Sequence, residues 1–501
     1  MTSRWISSRY FTLVALTLAL PFICLAGRPL FGDGWWMLAT GRELVAQGQL
    51  LQADPFTYAP HIGVYFDAQW LAQLVYFSAY QLLGLEGVAV LNASVVSATF
   101  GLLLAVAWER SRNMAAATIS VLIAEFGAIW VMHPRAQTLA FAAFVAMVWL
   151  LGRSRCRPLA IVGIGVVEAV WANLHGSFFM GPVVTCVYLA GDAAESFLAT
   201  RDWRVILASA RIRFLLVALA AQVLASLATP YGPGLLTYVL KFSVDPIIRD
   251  HISEWLPTTA SDVLGALFFA SVAITFTVVA LARSRVAVAD LLILGLFGVL
   301  GLQAYRNIPW WALASAPVLA AYLARVQMPA ALARVGACLI TSKRQQRGNI
   351  IRGALLAIVL IAALPWMKAA NPWLSPDQRG MVSTDYPEAA AAYLEAHPYA
   401  GHMFSDHLWA TYLDWRLFPR YQQLMDASIE VHPGNVWIDI LTLNAGHASW
   451  EELADGYGVD VMLLRPDTQR LLIAAAERSP RWSAVYHDEQ SVIFVRSGAA
   501  T

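Results

Sequence analysis

The sequence predicts an all-α polytopic membrane bundle of about 11 transmembrane helices. A long outside first loop with amphipathic helices and a small soluble α/β C-terminal domain complete the prediction. Three observations carry it. Hydrophobic residues make up 58% of the 501 and charged residues only 13%, far fewer charges than the surface of a soluble domain needs. Apolar runs near membrane-spanning length recur over the first 370 residues. After that they stop, and the last 131 residues hold 17 of the 33 acids. This pattern excludes a soluble, disordered, fibrous or disulfide-stapled chain. A net charge of +1 offers nothing to nucleic acid. Cys24, Cys156, Cys186 and Cys338 show neither paired nor metal-ligand spacing, so no disulfide is expected.

The apolar runs lie at 10–27, 88–107, 115–132, 138–152, 159–173, 177–195, 214–230, 264–282, 289–305, 308–324 and 353–370. The first competes with a secretory signal, because Arg4 and Arg9 precede a stretch ending in Leu25-Ala26-Gly27. Positive residues mark the cytoplasmic side. With the N-terminus inside, the cytoplasmic segments carry 19 Lys and Arg and the outside segments 6. The N-terminus is therefore expected in the cytoplasm and the C-terminal domain outside. In a bacterial cell this is a multi-pass inner-membrane protein with a periplasmic C-terminal domain. The expected organisation is a transmembrane domain over 1–370, including an outside loop at 28–87, and a soluble domain over 371–501.

The 28–87 loop is too long for a connector. Residues 35–47 and 67–83 have helical apolar spacing and interfacial aromatics, and are expected to lie along the membrane surface. Asp33 follows the first span between Gly32 and Gly34, whose small size lets a ligand approach the backbone. In the C-terminal segment, 386–397 and 468–478 read as helices, and 459–464 and 491–496 as strands.

Other polar groups end on the same outside face: His133-Pro134-Arg135, Asn173-Leu174-His175, Glu254-Trp255 and Arg306-Asn307. The 231–263 loop adds Asp245, Arg249, Asp250 and His251. Arginine grips phosphate bidentately and a carboxylate can take a proton from a hydroxyl. An acid, a histidine and arginines at a membrane surface therefore suit a phosphate-bearing amphiphile. Arg135, His175 and Arg306 are the phosphate candidates. Trp35, Trp36, Trp70, Asn173 and Trp255 are the candidate lining residues. Each has a structural alternative. Asp33 and Asp67 could cap helices, Asp54-Pro55 could start a turn, and Arg135 and Arg306 could snorkel to headgroups. Glu125 and Glu168, in or near spans, read as buried structural groups.

The Gly32-Asp33-Gly34-Trp35-Trp36, Ala39-Thr40-Gly41-Arg42, Asp54-Pro55-Phe56 and Gln69-Trp70 series resembles the first outside loop of the GT-C superfamily of integral-membrane glycosyltransferases. Trp171–Gly176, Glu254-Trp255 and Arg306-Asn307 extend the likeness. The superfamily includes protein mannosyltransferases, aminoarabinose transferases and Rgt-type bacterial enzymes. The resemblance implies an inverting glycosyltransferase that moves a sugar from a polyprenyl-phosphate donor to a glycan, lipid or protein acceptor. It implies Asp33 as general base. Many members pair two acids after the first span, whereas Asp33 is followed by Gly34, so Asp54, Asp67 and Glu254 are candidates for the second acid. The outside loops hold no Asp-x-Asp. No resident cofactor and no metal ligands are expected, and a divalent metal stays open. A lipid-linked sugar transporter, a polysaccharide polymerase or ligase, and a non-catalytic envelope-assembly protein are the alternatives.

Overall fold

Every apolar segment read from the sequence carries a helix in the computed structural model, which describes residues 10–152, 158–246, 249, 252–326 and 344–498. Four helical stretches are long and apolar enough to cross a membrane: Trp70–Ser111, Met114–Val131, Gly176–Thr200 and Val263–Leu281. Phe11–Leu25, Ala136–Gly152, Pro158–Leu174 and Val288–Gln303 are apolar but shorter. Trp70–Ser111 is two helices joined at Gly84, whose φ of 69° only glycine adopts readily.

The chain forms two compact units. The first comprises 1–28 and 86–371. Its centre is Ile308–Leu323, buried on every face from Ile308 to Tyr322. It packs on Met114–Ala128, Val263–Leu281 and Val288–Gln303. A helix apolar all round belongs in a core or a lipid phase. Trp310 stacks on Trp171 at 6.2 Å and meets Phe144 edge-on at 5.2 Å, filling the bundle interior. Peripheral helices point apolar side chains outward. On Pro158–Leu174, Ile164, Glu168 and Trp171 are buried, while Leu159, Val162, Val166 and Val170 are exposed at helical spacing. Such a stripe is a liability in water and the ordinary surface of a helix in lipid. The chain is a multi-pass membrane protein.

The second unit corrects the expected domain boundary: residues 29–85 belong with 372–501, not with the bundle. Backbone pairing explains why. Leu30 N–H donates to the Met381 carbonyl at 2.7 Å, Gln423 N–H to Phe56 at 2.8 Å and Tyr58 N–H back to Gln423 at 3.0 Å. The two loop helices pack against each other and against the C-terminal part of this unit. Asp33–Gln47 packs on His407–Leu417. Arg42 donates to the Asp414 and Trp415 carbonyls at 3.2 and 2.7 Å, satisfying acceptors that the end of that helix leaves open. Gly41 allows the second loop helix to approach, since a Cβ there would lie 2.6 Å from the Gln73 carbonyl oxygen and the Phe77 Cβ.

The C-terminal part of this unit holds a four-stranded sheet: β1 (His402–Ser405), β2 (Val459–Leu464), β3 (Trp482–His487) and β4 (Val492–Arg496), in the order β1-β2-β4-β3. β1 and β2 are parallel, and the other pairs are antiparallel. β2 is apolar enough to be covered on both faces. The predicted helices appear at Glu388–Ala396 and Arg470–Arg478. Cys24 and Cys186 are free thiols. Cys156, Cys338, Asp250 and His251 lie outside the described residues.

Candidate functional site

Within the helical unit, four loops at the ends of helices bring Arg135, Glu254, Trp255, Arg306 and His175 together. Arg135 precedes the Ala136–Gly152 helix, and its guanidinium grips Glu254 with both terminal nitrogens, at 2.8 and 2.9 Å. Gln137 Oε1 accepts from the same group at 2.6 Å, and the Gln137 amide reaches the Arg306 carbonyl at 3.4 Å. The Arg306 guanidinium lies 4.3 Å from the centre of the Trp255 ring, a cation–π arrangement. Burial alone would raise the Glu254 carboxyl, but the charge and hydrogen bonds of Arg135, with Arg306 and His133, bring it down to about 2.

That ion pair corrects Glu254 as a second acid. A carboxylate held this far below neutral pH by a bidentate arginine is a poor base. Arg135 does not snorkel, since its side chain is only 7% exposed and anchored to Glu254. Replacing Arg135 with Met should lower stability by about 1–3 kcal/mol. This is less than the roughly 3–5 kcal/mol lost when a fully buried pair is broken, because Glu254 keeps 43% exposure. Thermal melting in detergent checks this, and the double variant Arg135→Met/Glu254→Gln should regain most of the loss.

His175 accepts the Ser177 backbone N–H on Nδ1 at 3.0 Å, so its proton sits on Nε2. Burial, then the charges of Arg306 and Arg135, hold it well below the usual histidine range. It is a neutral hydrogen-bond donor near two cations. The Asn173 side chain is tied to the backbone: its amide donates to the Ala169 and Ala228 carbonyls at 2.8 and 2.9 Å. Glu125 and Glu168 are fully buried with no hydrogen-bond partner among the described residues.

Within the second unit, Asp33 opens the Asp33–Gln47 helix after Gly32, whose φ of 53° turns the chain and whose N–H donates to the Tyr386 hydroxyl at 2.7 Å. Asp33 is half-buried, and a negative charge there suits the helix N-terminus. Trp35 is no lining residue. It is 1% exposed and packs edge-on against Tyr386 and Tyr412 at 5.8 and 5.1 Å. Trp36 and Trp70 are half-buried. Asp54 is buried, with Oδ1 accepting from the Phe56 N–H at 3.0 Å and Oδ2 from the Thr57 hydroxyl, the turn that Asp-Pro foretold. Asp67 is 2% exposed and accepts from the Gln69 N–H and the Gln73 amide at 3.2 and 2.9 Å. Burial raises its carboxyl to about 7, against the pull of those two bonds, a value suited to proton transfer at neutral pH.

Two further buried acids escape sequence reasoning. Burial, then the charges of Asp426 and Asp54, push Asp414 well above the usual carboxylate range. Asp426 is raised by burial and by Asp54. Neither residue sits in a recognisable motif, and only their apolar flanks, such as Leu413 and Met425, hint at burial.

No protein-family model and no curated protein matches this sequence. Solved structures do. The oligosaccharyltransferase of Archaeoglobus fulgidus in its apo form matches with a TM-score of 0.55 at 14% identity, covering 98% of this chain and 75% of that one. AglB from the same organism, in complex with an inhibitory peptide and a dolichol-phosphate, matches with a TM-score of 0.54 at 14% identity, covering 98% and 74%. ArnT from Cupriavidus metallidurans bound to undecaprenyl phosphate has a TM-score of 0.46 at 16% identity, covering 98% of each chain. At these identities the likeness is one of fold alone, shared over nearly the whole chain with the archaeal oligosaccharyltransferase.

Proposed function

We propose that this chain is an inverting membrane glycosyltransferase. It takes a sugar from a polyprenyl-phosphate donor and attaches it to a glycan, lipid or protein acceptor during cell-envelope assembly. The observation that carries the reading is the fold shared over nearly the whole chain with an oligosaccharyltransferase that holds a dolichol-phosphate. The work is placed on the periplasmic side of an inner membrane, in line with the distribution of Lys and Arg among the loops.

The roles follow from each unit's own chemistry. In the helical unit, Arg306 and the neutral His175 supply donors to the leaving phosphate, with Arg306 held over the Trp255 ring. Arg135 sets the position of Glu254 and lowers the negative potential it would otherwise present to a phosphate. In the second unit, Asp33 takes the proton of the acceptor hydroxyl, while the sugar–phosphate bond breaks and the phosphate leaves on the lipid. Asp67 is the second acid, as its carboxyl near neutrality favours proton exchange.

Arg306→Ala should weaken binding of dolichol phosphate or undecaprenyl phosphate about 10–100-fold, the value of a charge-assisted hydrogen bond. Titration of the detergent-purified protein with each lipid measures it. Unchanged affinity would remove Arg306 from the phosphate site. Binding of neither lipid by the wild type would remove the donor class.

A further inference from the structure

An unsatisfied histidine nitrogen in the second unit carries an inference independent of the glycosyl-transfer reading. His432 is 4% exposed, and its Nδ1–H donates to the Pro60 carbonyl at 3.1 Å. That bond leaves a lone pair on Nε2, which is buried and has no hydrogen-bond partner among the described residues. A buried acceptor without a partner costs free energy, so something of opposite character belongs there. Asp54 and His61 supply the rest of a donor set: one ligand atom from each of Asp54, His61 and His432 lies within 4.8 Å of the others.

We propose that Asp54, His61 and His432 bind one Zn²⁺, with water in the fourth position. Two imidazoles and a carboxylate suit zinc. A ring N–H given to a backbone carbonyl, as His432 gives to Pro60, fixes the tautomer and orientation of a metal ligand. Asp54 is held in place by the Phe56 N–H and the Thr57 hydroxyl, and that hydroxyl also lies 2.9 Å from His61 Nε2. Ligands of a tetrahedral zinc at about 2.0–2.1 Å stand roughly 3.4 Å apart, so the three close by about an ångström or slightly more and zinc replaces the Thr57–His61 contact. His61 is exposed and gives the ion a way in.

The ion would act as a clasp. Pro60 and His432 are 372 residues apart in sequence, and beside them the Ile62 N–H donates to the Val431 carbonyl at 2.7 Å. Zinc at this point staples the first-loop segment to the C-terminal part of the same unit.

The test uses full-length, tag-free protein in detergent, stripped with chelator and titrated with ZnCl₂ alone, with bound zinc counted by elemental analysis. The expected result is one zinc per chain, and a melting temperature that rises by about 5 °C at saturation. His432→Gln and His61→Ala should each weaken binding at least about 100-fold. His61 is exposed, so His61→Ala decides the matter if His432→Gln does not fold. No stoichiometric zinc in the wild type, or one equivalent retained at unchanged affinity in His61→Ala, overturns the proposal.

Discussion

Asp33→Asn should insert and fold as the wild type does yet lose sugar transfer by about 10²–10⁴-fold, the usual contribution of a positioned general base. Its fold should survive for local reasons. Asp33 is half-buried at the first turn of its helix, where losing the charge costs about 0.3–1 kcal/mol of helix-dipole stabilisation. The chain reversal before it rests on Gly32 and on the Gly32 N–H to Tyr386 bond, neither of which involves the Asp33 side chain. Asn fits the same space but cannot accept a proton at neutral pH. Initial rates with a defined polyprenyl-phosphate sugar, beside a melting curve of the same preparation, separate lost chemistry from lost structure. A variant with wild-type rates would remove Asp33 from the reaction.

Asp67→Asn should stabilise the protein, and the gain should depend on pH. The folded chain holds the Asp67 proton up to about 7, because burial outweighs the Gln69 and Gln73 hydrogen bonds, whereas the ordinary value is 3.8. Between those two values the folded state binds more protons than the unfolded state, so stability falls as pH rises from about 4 through 7. Asn reproduces the neutral form without that penalty. At pH 8 the variant should be more stable by roughly 2–4 kcal/mol, since each pH unit between the folded and unfolded values is worth about 1.4 kcal/mol. Near pH 4 the difference should almost vanish. Melting temperatures at the two pH values test this, and a variant less stable than wild type at pH 8 would contradict it. Transfer should fall in the same variant, and the limb of the rate profile near pH 7 should disappear. Gaining stability while losing rate is the pattern of a strained functional group.

The helical plan is legible in the sequence because hydropathy is a local signal. Each apolar run carries a helix, and the β-branched run at the C-terminus is β4. What stays hidden is long-range. Nothing in residues 29–85 announces that Gln423 will pair with Phe56 and Tyr58, so hydropathy assigns the loop to the bundle and its apolar helix faces to the membrane. Trp35, on one of those faces, is covered by Tyr386 and Tyr412. β1 has only four residues, and β3 alternates too weakly for its period to stand out. Candidate residues are legible as types but not as partners. Arg135 and Glu254 both fall in loops that the sequence predicts to lie outside, yet their pairing spans 119 residues and reverses the role expected of the acid. His61 and His432 carry no motif at all, and only folding sets them beside Asp54.

The most direct test of the central claim is the fate of the sugar–phosphate bond. Wild-type protein in proteoliposomes is supplied with a panel of undecaprenyl- and dolichol-phosphate sugars and a mixed acceptor extract, and lipid products are resolved by mass spectrometry. The account predicts free polyprenyl phosphate released from at least one donor, a glycosylated acceptor of inverted anomeric configuration, and neither product with Asp33→Asn. Donor that crosses the bilayer with its sugar–phosphate bond intact, and no polyprenyl phosphate from any donor, would contradict the account and make the chain a carrier of lipid-linked sugars.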